Sequence, residues 1–528
     1  MNSKELEELK KELSEIDDLY HSPEKIVEQI KTFETGISPL KLVRPCAIGD
    51  GIKIISENEK EYFIKIFQTA LDEGRVIKFV PASGAATRMF RKQLSFISRF
   101  EKIDYNTLKE LAQNGDEDCK ATIEFFNNID RFAFFKKLSD LTEEKGKKIS
   151  EIITERNIKE VIRLVTDSDG LNYSALSKGC ILFHSYPEGP RTAFEEHIVE
   201  AINYSASKDK VAKIHFTISP EHEQEIKNLF KSLLQKFKKD GWKFEIEFSF
   251  QSRSTDTISV TLENKPFRDE NGNIVFRPGG HGALLKNLNE LKADVISIKN
   301  IDNIAPDHLS GESFEYKKIL GGYLISLQKK IFDYLKILGD ANTNENEIDE
   351  IINFIRTELE FDLSDKFKQK PLQEKKNYLF NFLNRPIRIC GMVKREHHPG
   401  GSPFWVLGQD GEITKQIVEP AQVDLSNTNQ KKIFSEGTHF NPVDLACAVK
   451  DYKGNNFDLE KFSNPDTGLI TKKSKDGQEL KALELPGLWN GGMYYWLTVF
   501  IEVPKITFNP VKEVNDLLKP EHQPVYKK

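Results

Sequence analysis

The stretch VIKFVPASGAATRM, Val76 to Met89, decides the fold class. VIKFV is a short, nearly continuous apolar run, the pattern of a buried strand. PASGAAT follows as a turn of small residues, and the apolar spacing beyond Met89 becomes helical. Strand, glycine-containing turn and helix together open an α/β unit built on a parallel sheet.

Further strands lie outward from this point. KGCILFH (Lys178–His184), KIHFTIS (Lys213–Ser219), FEIEFSF (Phe244–Phe250) and DVISIKNIDN (Asp294–Asn303) all read as strands. They alternate with helical runs such as TAFEEHIVEAI and PEHEQEIKNLFKSLLQKF. The alternation predicts a mainly parallel sheet covered on both faces. The expected division is an N-terminal helical segment (1–75), an α/β core (76–325), a second helical segment (326–384) and a further lobe (385–528). Residues 1–75 are read as helical from Leu6, Leu9, Leu13 and Ile16 at three- and four-residue steps. A helical insertion is expected within the core at about 91–172. From Arg385 onward Gly, Pro and aromatics become frequent, as in GGSPFWVLGQDGEI, which predicts strands and loops. There is no internal repeat and no low-complexity tract.

A length of 528 residues is too great for one simple core. The net charge of -6 gives no overall pull toward nucleic acid, whose non-specific binding needs a basic surface. Five widely spaced cysteines, with no Cys-x-x-Cys pair, argue against a disulfide framework or a cysteine zinc site. The charged N-terminus MNSKELEELKKELSEIDDLY lacks the apolar stretch of a signal peptide, and no run approaches the roughly 20 apolar residues that span a bilayer. A cytoplasmic setting is expected, with no nucleic-acid and no membrane partner.

Four segments carry the chemistry: SGAATRM (Ser83–Met89), PGGHG (Pro278–Gly282), KNIDN (Lys299–Asn303) and FNPVKEVNDLL (Phe508–Leu518). In the first, small residues let backbone N–H groups approach phosphate oxygens, and Arg88 can fork onto a phosphate. In the second, three glycines in five residues would let a base or ribose lie against the backbone. Asp302 of KNIDN follows a strand, where open α/β sheets place ligand-binding groups. Upstream, Gln251 ends the strand FSFQS and could read a base edge.

Taken together, these segments resemble the UDP-sugar pyrophosphorylases, within the larger class of GT-A-like nucleotidyltransferases. The whole chain is similar to an uncharacterised bacterial family related to those enzymes. The resemblance implies a three-layer, Rossmann-like GT-A core with helical insertions and a second, sugar-binding lobe. It implies Ser83, Gly84, Ala85 and Thr87 at the phosphates, and Gln251, Gly279, Gly280, His281 and Gly282 at the nucleoside. Asp302 is the implied ligand of Mg²⁺, and Arg88, Lys178 and Lys512 are the implied phosphate-binding cations. The implied reaction joins a nucleoside triphosphate, with UTP expected, to a sugar-1-phosphate and releases pyrophosphate. Two alternatives stand beside it. A nucleotide-sugar-dependent glycosyltransferase would usually carry an Asp-x-Asp, which KNIDN lacks. A non-catalytic sugar-nucleotide-binding protein would fit Ser83, Ala86 and Ala283, which stand where the resembled family usually has other residues.

Other candidates are weaker. Glu195 and Glu196 in TAFEEHIVEAI are read as parts of an amphipathic helix, with Arg191 just before it. His397 and His398 are adjacent and cannot share one helical face as zinc ligands. His439 and Asp444 in GTHFNPVDL read as a structural loop, and Trp405 as a ring that could stack on a sugar.

Overall fold

The structure is a computed structural model that describes residues 3–14, 22–396, 400–475 and 477–525. His397, His398 and Pro399 lie outside the described residues. Two compact units interleave along the chain. The first comprises Met1–Ala70, Phe250–Ile298 and Lys318–Pro504; the second comprises Leu71–Ser249, Lys299–Lys317 and Lys505–Lys528.

In the second unit the strand Val76–Pro81 pairs in parallel with Val211–Ile218, with Lys78 opposite Ile214 and Pro81 opposite Thr217. Val211–Ile218 has Lys243–Phe250 as its other neighbour. Helices Ala193–Tyr204 and Glu223–Lys238 bury their apolar faces through Phe194 and Phe230. Both rings meet Phe216 of the middle strand edge-on, at centroid distances of 5.2 and 5.3 Å. Each buried ring of this kind contributes roughly 1.5–3 kcal/mol through area removed from water, with about 0.5–1.5 kcal/mol more from edge-to-face geometry.

The expected helical insertion is present as six helices between Arg91 and Thr166. Their starts follow side-chain capping: Asp104 accepts from the Asn106 and Thr107 amides, Asp116 from Cys119, and Asn157 from Glu160. Phe96, Phe125, Phe132 and Phe134 bury the faces these helices turn inward.

In the first unit, Ala47–Ile48, Gly51–Lys53, Leu497–Glu502 and Ile387–Lys394 form a parallel run of strands. Asp444–Ala448 joins it antiparallel beside Ile387–Lys394. A three-stranded antiparallel sheet holds Lys41–Pro45, Ser402–Leu407 and Ile413–Val418. A four-stranded antiparallel sheet holds Phe276–Arg277, Thr257–Val260, Gln478–Glu484 and Leu469–Lys475. The chain is thus a mixed α/β protein whose central strands are mostly parallel, as the alternation predicts. Among the described residues, no helix is long and apolar enough to cross a membrane.

Two expectations are corrected. Residues 1–75 are not all helical: three strands between Lys41 and Lys53 separate the helices Pro23–Thr35 and Glu57–Asp72. Pro45, Gly49 and Gly51 punctuate that stretch, so a helical period cannot run through it. KGCILFH is not a full strand. Lys178–Cys180 is a 3₁₀ turn, and only Leu182–His184 extends, paired with Arg191–Thr192 in a small separate sheet. Gly179 sets that turn against a ring, since a Cβ there would stand 2.3 Å from Phe194. The helix expected beyond Met89 is present as Arg91–Arg99. Ala86–Arg88 is a single 3₁₀ turn before it.

Candidate functional site

Lys178 and Lys512, expected at the phosphates, and Asp302, the expected Mg²⁺ ligand, meet in the second unit. The buried strand Val295–Lys299 runs into a tight turn, in which the Asn303 amide donates to the Asn300 carbonyl at 3.1 Å. That turn presents Asp302. Lys178 Nζ lies 3.0 Å from Asp302 Oδ2, and Lys512 Nζ lies 2.9 Å from the same oxygen. The Asp302 and Lys178 side chains are only 11% and 13% exposed, whereas Lys512 is 59% exposed. One ammonium therefore sits inside and the other faces water.

Burial works against charge on Asp302, but the two ammonium groups hold its carboxyl below the usual carboxylate range. Burial also pushes the Lys178 amine down, and Asp302 opposes that shift. The second carboxylate oxygen, Oδ1, is buried and accepts no hydrogen bond. An unsatisfied buried carboxylate oxygen costs on the order of 1–3 kcal/mol or more, so this atom is poised for a partner.

Lys512 reaches Asp302 because its segment is clamped. The Val511 amide donates to the Asp302 carbonyl at 2.9 Å, and the Asn509 amide donates to Asn303 Oδ1 at 2.9 Å. Downstream, the Lys512 and Glu513 amides both donate to Asp516 Oδ2, at 2.7 and 2.8 Å. Asn303 was not singled out from the sequence. Its signal is the second asparagine of KNIDN, whose short amide side chain can serve two backbone groups of a neighbouring loop.

The Ser83–Thr87 loop is tied to Lys178 through backbone. The Lys178 amide donates to the Gly84 carbonyl at 3.2 Å, and the Ala86 amide donates to the Leu176 carbonyl at 2.9 Å. Thr87 Oγ1 donates to the Ser174 carbonyl at 2.8 Å, and the half-buried Ser83 accepts at its carbonyl from Ser219 Oγ at 3.0 Å. Gly84 and Ala85 are exposed, and a Cβ on Gly84 would meet nothing within 4 Å. Here the chain itself does not need glycine, which leaves room for a ligand. Arg88 is exposed and is not a member of the ion-pair cluster on Asp302.

The residues expected at the nucleoside fall in the first unit. Gln251 is half-buried, and its Nε2 finds no acceptor. His281 stacks on Trp489 with centroids 4.4 Å apart, and its Nδ1 accepts from the Leu488 amide at 3.2 Å. Burial pushes its pKa down, with Glu419 and Glu484 opposing. The three glycines have structural reasons of their own. A Cβ on Gly279 would stand 2.5 Å from the Thr255 carbonyl oxygen, and one on Gly282 would stand 2.3 Å from that of Pro486. Gly280 has φ +74, a left-handed conformation. Close ligand approach is therefore not needed to explain PGGHG. Gly280→Val is expected to destabilise the fold by roughly 1–3 kcal/mol, because a β-branched residue is strained at that φ. A urea melt of the variant checks it, and an unchanged midpoint would contradict the conformational account.

Glu195 and Glu196 are on the helix Ala193–Tyr204, as read from sequence, and both are buried. Glu195 pairs with Lys236 at 3.0 Å. Glu196 receives Tyr186 Oη at 2.7 Å and His184 Nδ1 at 2.8 Å, and His184 Nε2 lies 2.9 Å from His522 Nδ1. Arg191 makes a bidentate pair with Asp307 at 2.8 and 3.0 Å. His439 Nε2 faces Glu502 at 3.2 Å, while Asp444 is fully buried at the start of a strand. Among the described residues, no three His, Cys, Asp or Glu side chains gather as a metal site.

A family described as "Domain of unknown function (DUF4301)" matches residues 9–523. The chain belongs to the DUF4301 family. No curated protein matches this DUF4301 chain. Among solved structures it is similar to the UDP-glucose pyrophosphorylase of Leishmania major, with 11% identity and a TM-score of 0.44 over 98% of this chain and 79% of that one. It is also similar to the uridine diphosphate N-acetylglucosamine pyrophosphorylase of Trypanosoma brucei, with 12% identity and a TM-score of 0.45 over 94% of this chain and 74% of that one.

Proposed function

We propose that this DUF4301 protein is a nucleotidyltransferase that joins a nucleoside triphosphate, UTP first among them, to a sugar-1-phosphate. The observation that carries the reading is the convergence of Lys178 and Lys512, far apart in sequence, on one oxygen of a buried strand-end aspartate. The motif resemblance to UDP-sugar pyrophosphorylases supports the same reading, and a GT-A-like arrangement of the core is part of it.

A sugar-phosphate oxygen attacks the α-phosphorus, a new P–O bond forms, and the bond to the β-phosphate oxygen breaks. Pyrophosphate leaves with the electron pair, so no covalent enzyme intermediate and no redox partner are needed. Two anionic substrates must be brought together, and offsetting their charge is the protein's main task. Lys512, half in water, swings from Asp302 to an incoming phosphate at little desolvation cost. Lys178, buried and tied to the Gly84 loop, holds a fixed position. Arg88 lies at the end of that loop, where its guanidinium suits a terminal phosphate.

Asp302 suits Mg²⁺ in one respect: Oδ1 is a buried, ionised, unpartnered oxygen. A hard Mg²⁺ takes one or two protein carboxylates and completes its shell with water and phosphate oxygens. When bound, it would supply Lewis-acid neutralisation of phosphate charge. The nucleoside-binding role of Gln251 and His281 is a separate proposal that rests on the unpartnered Gln251 amide.

The test is a matrix of nucleoside triphosphates against sugar-1-phosphates, read by pyrophosphate release. Turnover with at least one pair is expected. Nucleotide binding without pyrophosphate release from any pair would replace this reading with that of a binding protein.

A further inference from the structure

The first unit contains a cavity of about 550 Å³ that none of the four motifs reaches. Its walls are aromatic: Trp405, Trp496, Tyr494, Tyr495, Phe361 and Phe382 all line it. Trp405, Trp496 and Tyr494 are buried, while Tyr495 stands at the mouth, 40% exposed. Tyr494 and Tyr495 meet edge-on at 4.9 Å, so the two rings present surfaces at an angle rather than one flat wall.

Part of the polar lining is fixed in advance. Arg388, with no exposed surface, donates to Thr498 Oγ1 at 2.8 Å and to the Trp489 carbonyl at 2.7 Å, and reaches Gln416 Oε1 at 3.5 Å. Gln416 Nε2 in turn donates to the Tyr494 carbonyl at 2.9 Å. Gln416 and Thr498 line the cavity, and Arg388 sets the positions of both. At another wall, Lys415 is buried against Glu360 at 2.7 Å.

Charge decides which ligands fit. The lining carries the carboxylates Glu360, Asp410, Glu412 and Asp466 against the cations Lys41, Arg385 and Lys415. Such a lining gives no net attraction for a phosphate or a carboxylate. It does offer acceptors for hydroxyl groups, with flat apolar rings between them. A pyranose is the small molecule with that pairing: C–H faces that lie on aromatic rings, and an equatorial rim of hydroxyls that both donate and accept. The volume falls in the range of about 300–1,000 Å³ typical of small-molecule sites.

We propose that this cavity is a binding site for an uncharged pyranose unit, stacked on its aromatic walls and hydrogen-bonded by the carboxylates and the Gln416 amide of its lining. The site does not depend on the nucleotidyltransferase reading, because it shares no residue with the Asp302 cluster.

Two of the four tryptophans line the cavity, so intrinsic fluorescence reports occupancy directly. The full-length protein is titrated with D-glucose, N-acetyl-D-glucosamine and maltose, and separately with inorganic phosphate. A saturable fluorescence change with at least one sugar, and none with phosphate, is expected. Asp410→Asn keeps the shape and removes the charge of an exposed lining acceptor; Tyr495→Ala removes an exposed wall. Each is expected to weaken that sugar about tenfold, which corresponds to roughly 1.4 kcal/mol. Melting temperatures confirm that the variants fold, and Tyr495 is exposed enough to be removed safely. No saturable response to any of the three sugars, an equal response to phosphate, or undiminished binding by folded Tyr495→Ala would each overturn the proposal.

Discussion

Asp302→Asn is expected to lower pyrophosphate release on the order of 10²–10³-fold, the loss typical when one preorganised charge is removed from a transition-state site. The substitution keeps the side chain's shape and removes its charge. Two consequences follow from the geometry. Lys512 is 59% exposed and simply turns to water. Lys178 is 13% exposed and loses the carboxylate that it pairs with, so its amine shifts further toward the neutral form. The defect is thus expected in turnover more than in substrate binding, since a mobile Lys512 still attracts phosphate. Lys178→Gln is expected to act through the same unit, so the double variant Lys178→Gln/Asp302→Asn is expected to be little worse than Asp302→Asn alone. Steady-state kinetics of the three proteins, with melting curves alongside, check this. Full additivity would show that Lys178 and Asp302 do not work together, and wild-type turnover in Asp302→Asn would remove Asp302 from the chemistry.

What could be read from the sequence follows a physical divide. Val76–Pro81, Val211–Ile218, Lys243–Phe250 and Val295–Lys299 were legible because each is a bounded run of β-favouring residues. The helical insertion was legible from its amphipathic period. The strands between Lys41 and Lys53 were not, because the longest of them has five residues and their pairing depends on distant partners such as Phe404 and Phe500. Short strands take their conformation from the sheet they join, not from their own period. Among candidate site residues, Asp302, Lys178 and Lys512 were singled out through motif resemblance, and the fold brings the two lysines to Asp302. Propensity alone would have left all three as surface loops. For PGGHG the opposite holds. A cluster of glycines suggested a ligand, while backbone crowding and one positive φ account for it. Glycine marks a place where something lies close or the chain turns sharply, and sequence cannot say which. The aromatic cavity was invisible apart from Trp405, because its walls come from six separate stretches of chain.

Glu200→Gln is expected to destabilise the protein by about 3–5 kcal/mol, although Glu200 touches none of the proposed site residues. Glu200 lies on the helix Ala193–Tyr204 and is buried between two equally buried lysines. Lys78 Nζ is 2.7 Å from its Oε2, and Lys299 Nζ is 2.5 Å from its Oε1. Tyr204 Oη donates to Oε2 as well, at 3.0 Å. Taking away this negative charge leaves two buried amines without the carboxylate they share, so each must either keep an unpaired charge in a low-dielectric interior or give up its proton, and both are costly. Lys78→Met is expected to behave differently. One carboxylate can neutralise only one lysine, and the surplus appears as a Lys78 amine pushed down to about 7, by burial first and by Lys299 and Lys317 beside it. Replacing Lys78 with an apolar side chain of similar length leaves Glu200 with Lys299 as a neutral pair, so the change is expected to cost under about 1 kcal/mol or to stabilise. The sign of the pH dependence follows. Unfolded, this lysine holds its proton up to about 10.5; folded, it releases it near 7. Between those values the unfolded chain binds more protons than the folded one, so folding stability rises with pH, by up to about 1.4 kcal/mol per unit. Urea melts at pH 7 and pH 9 are therefore expected to show the wild type gaining about 2 kcal/mol more than Lys78→Met over that interval. An identical gain in both proteins would mean that Lys78 stays protonated in the fold, and that Glu200 balances both lysines after all.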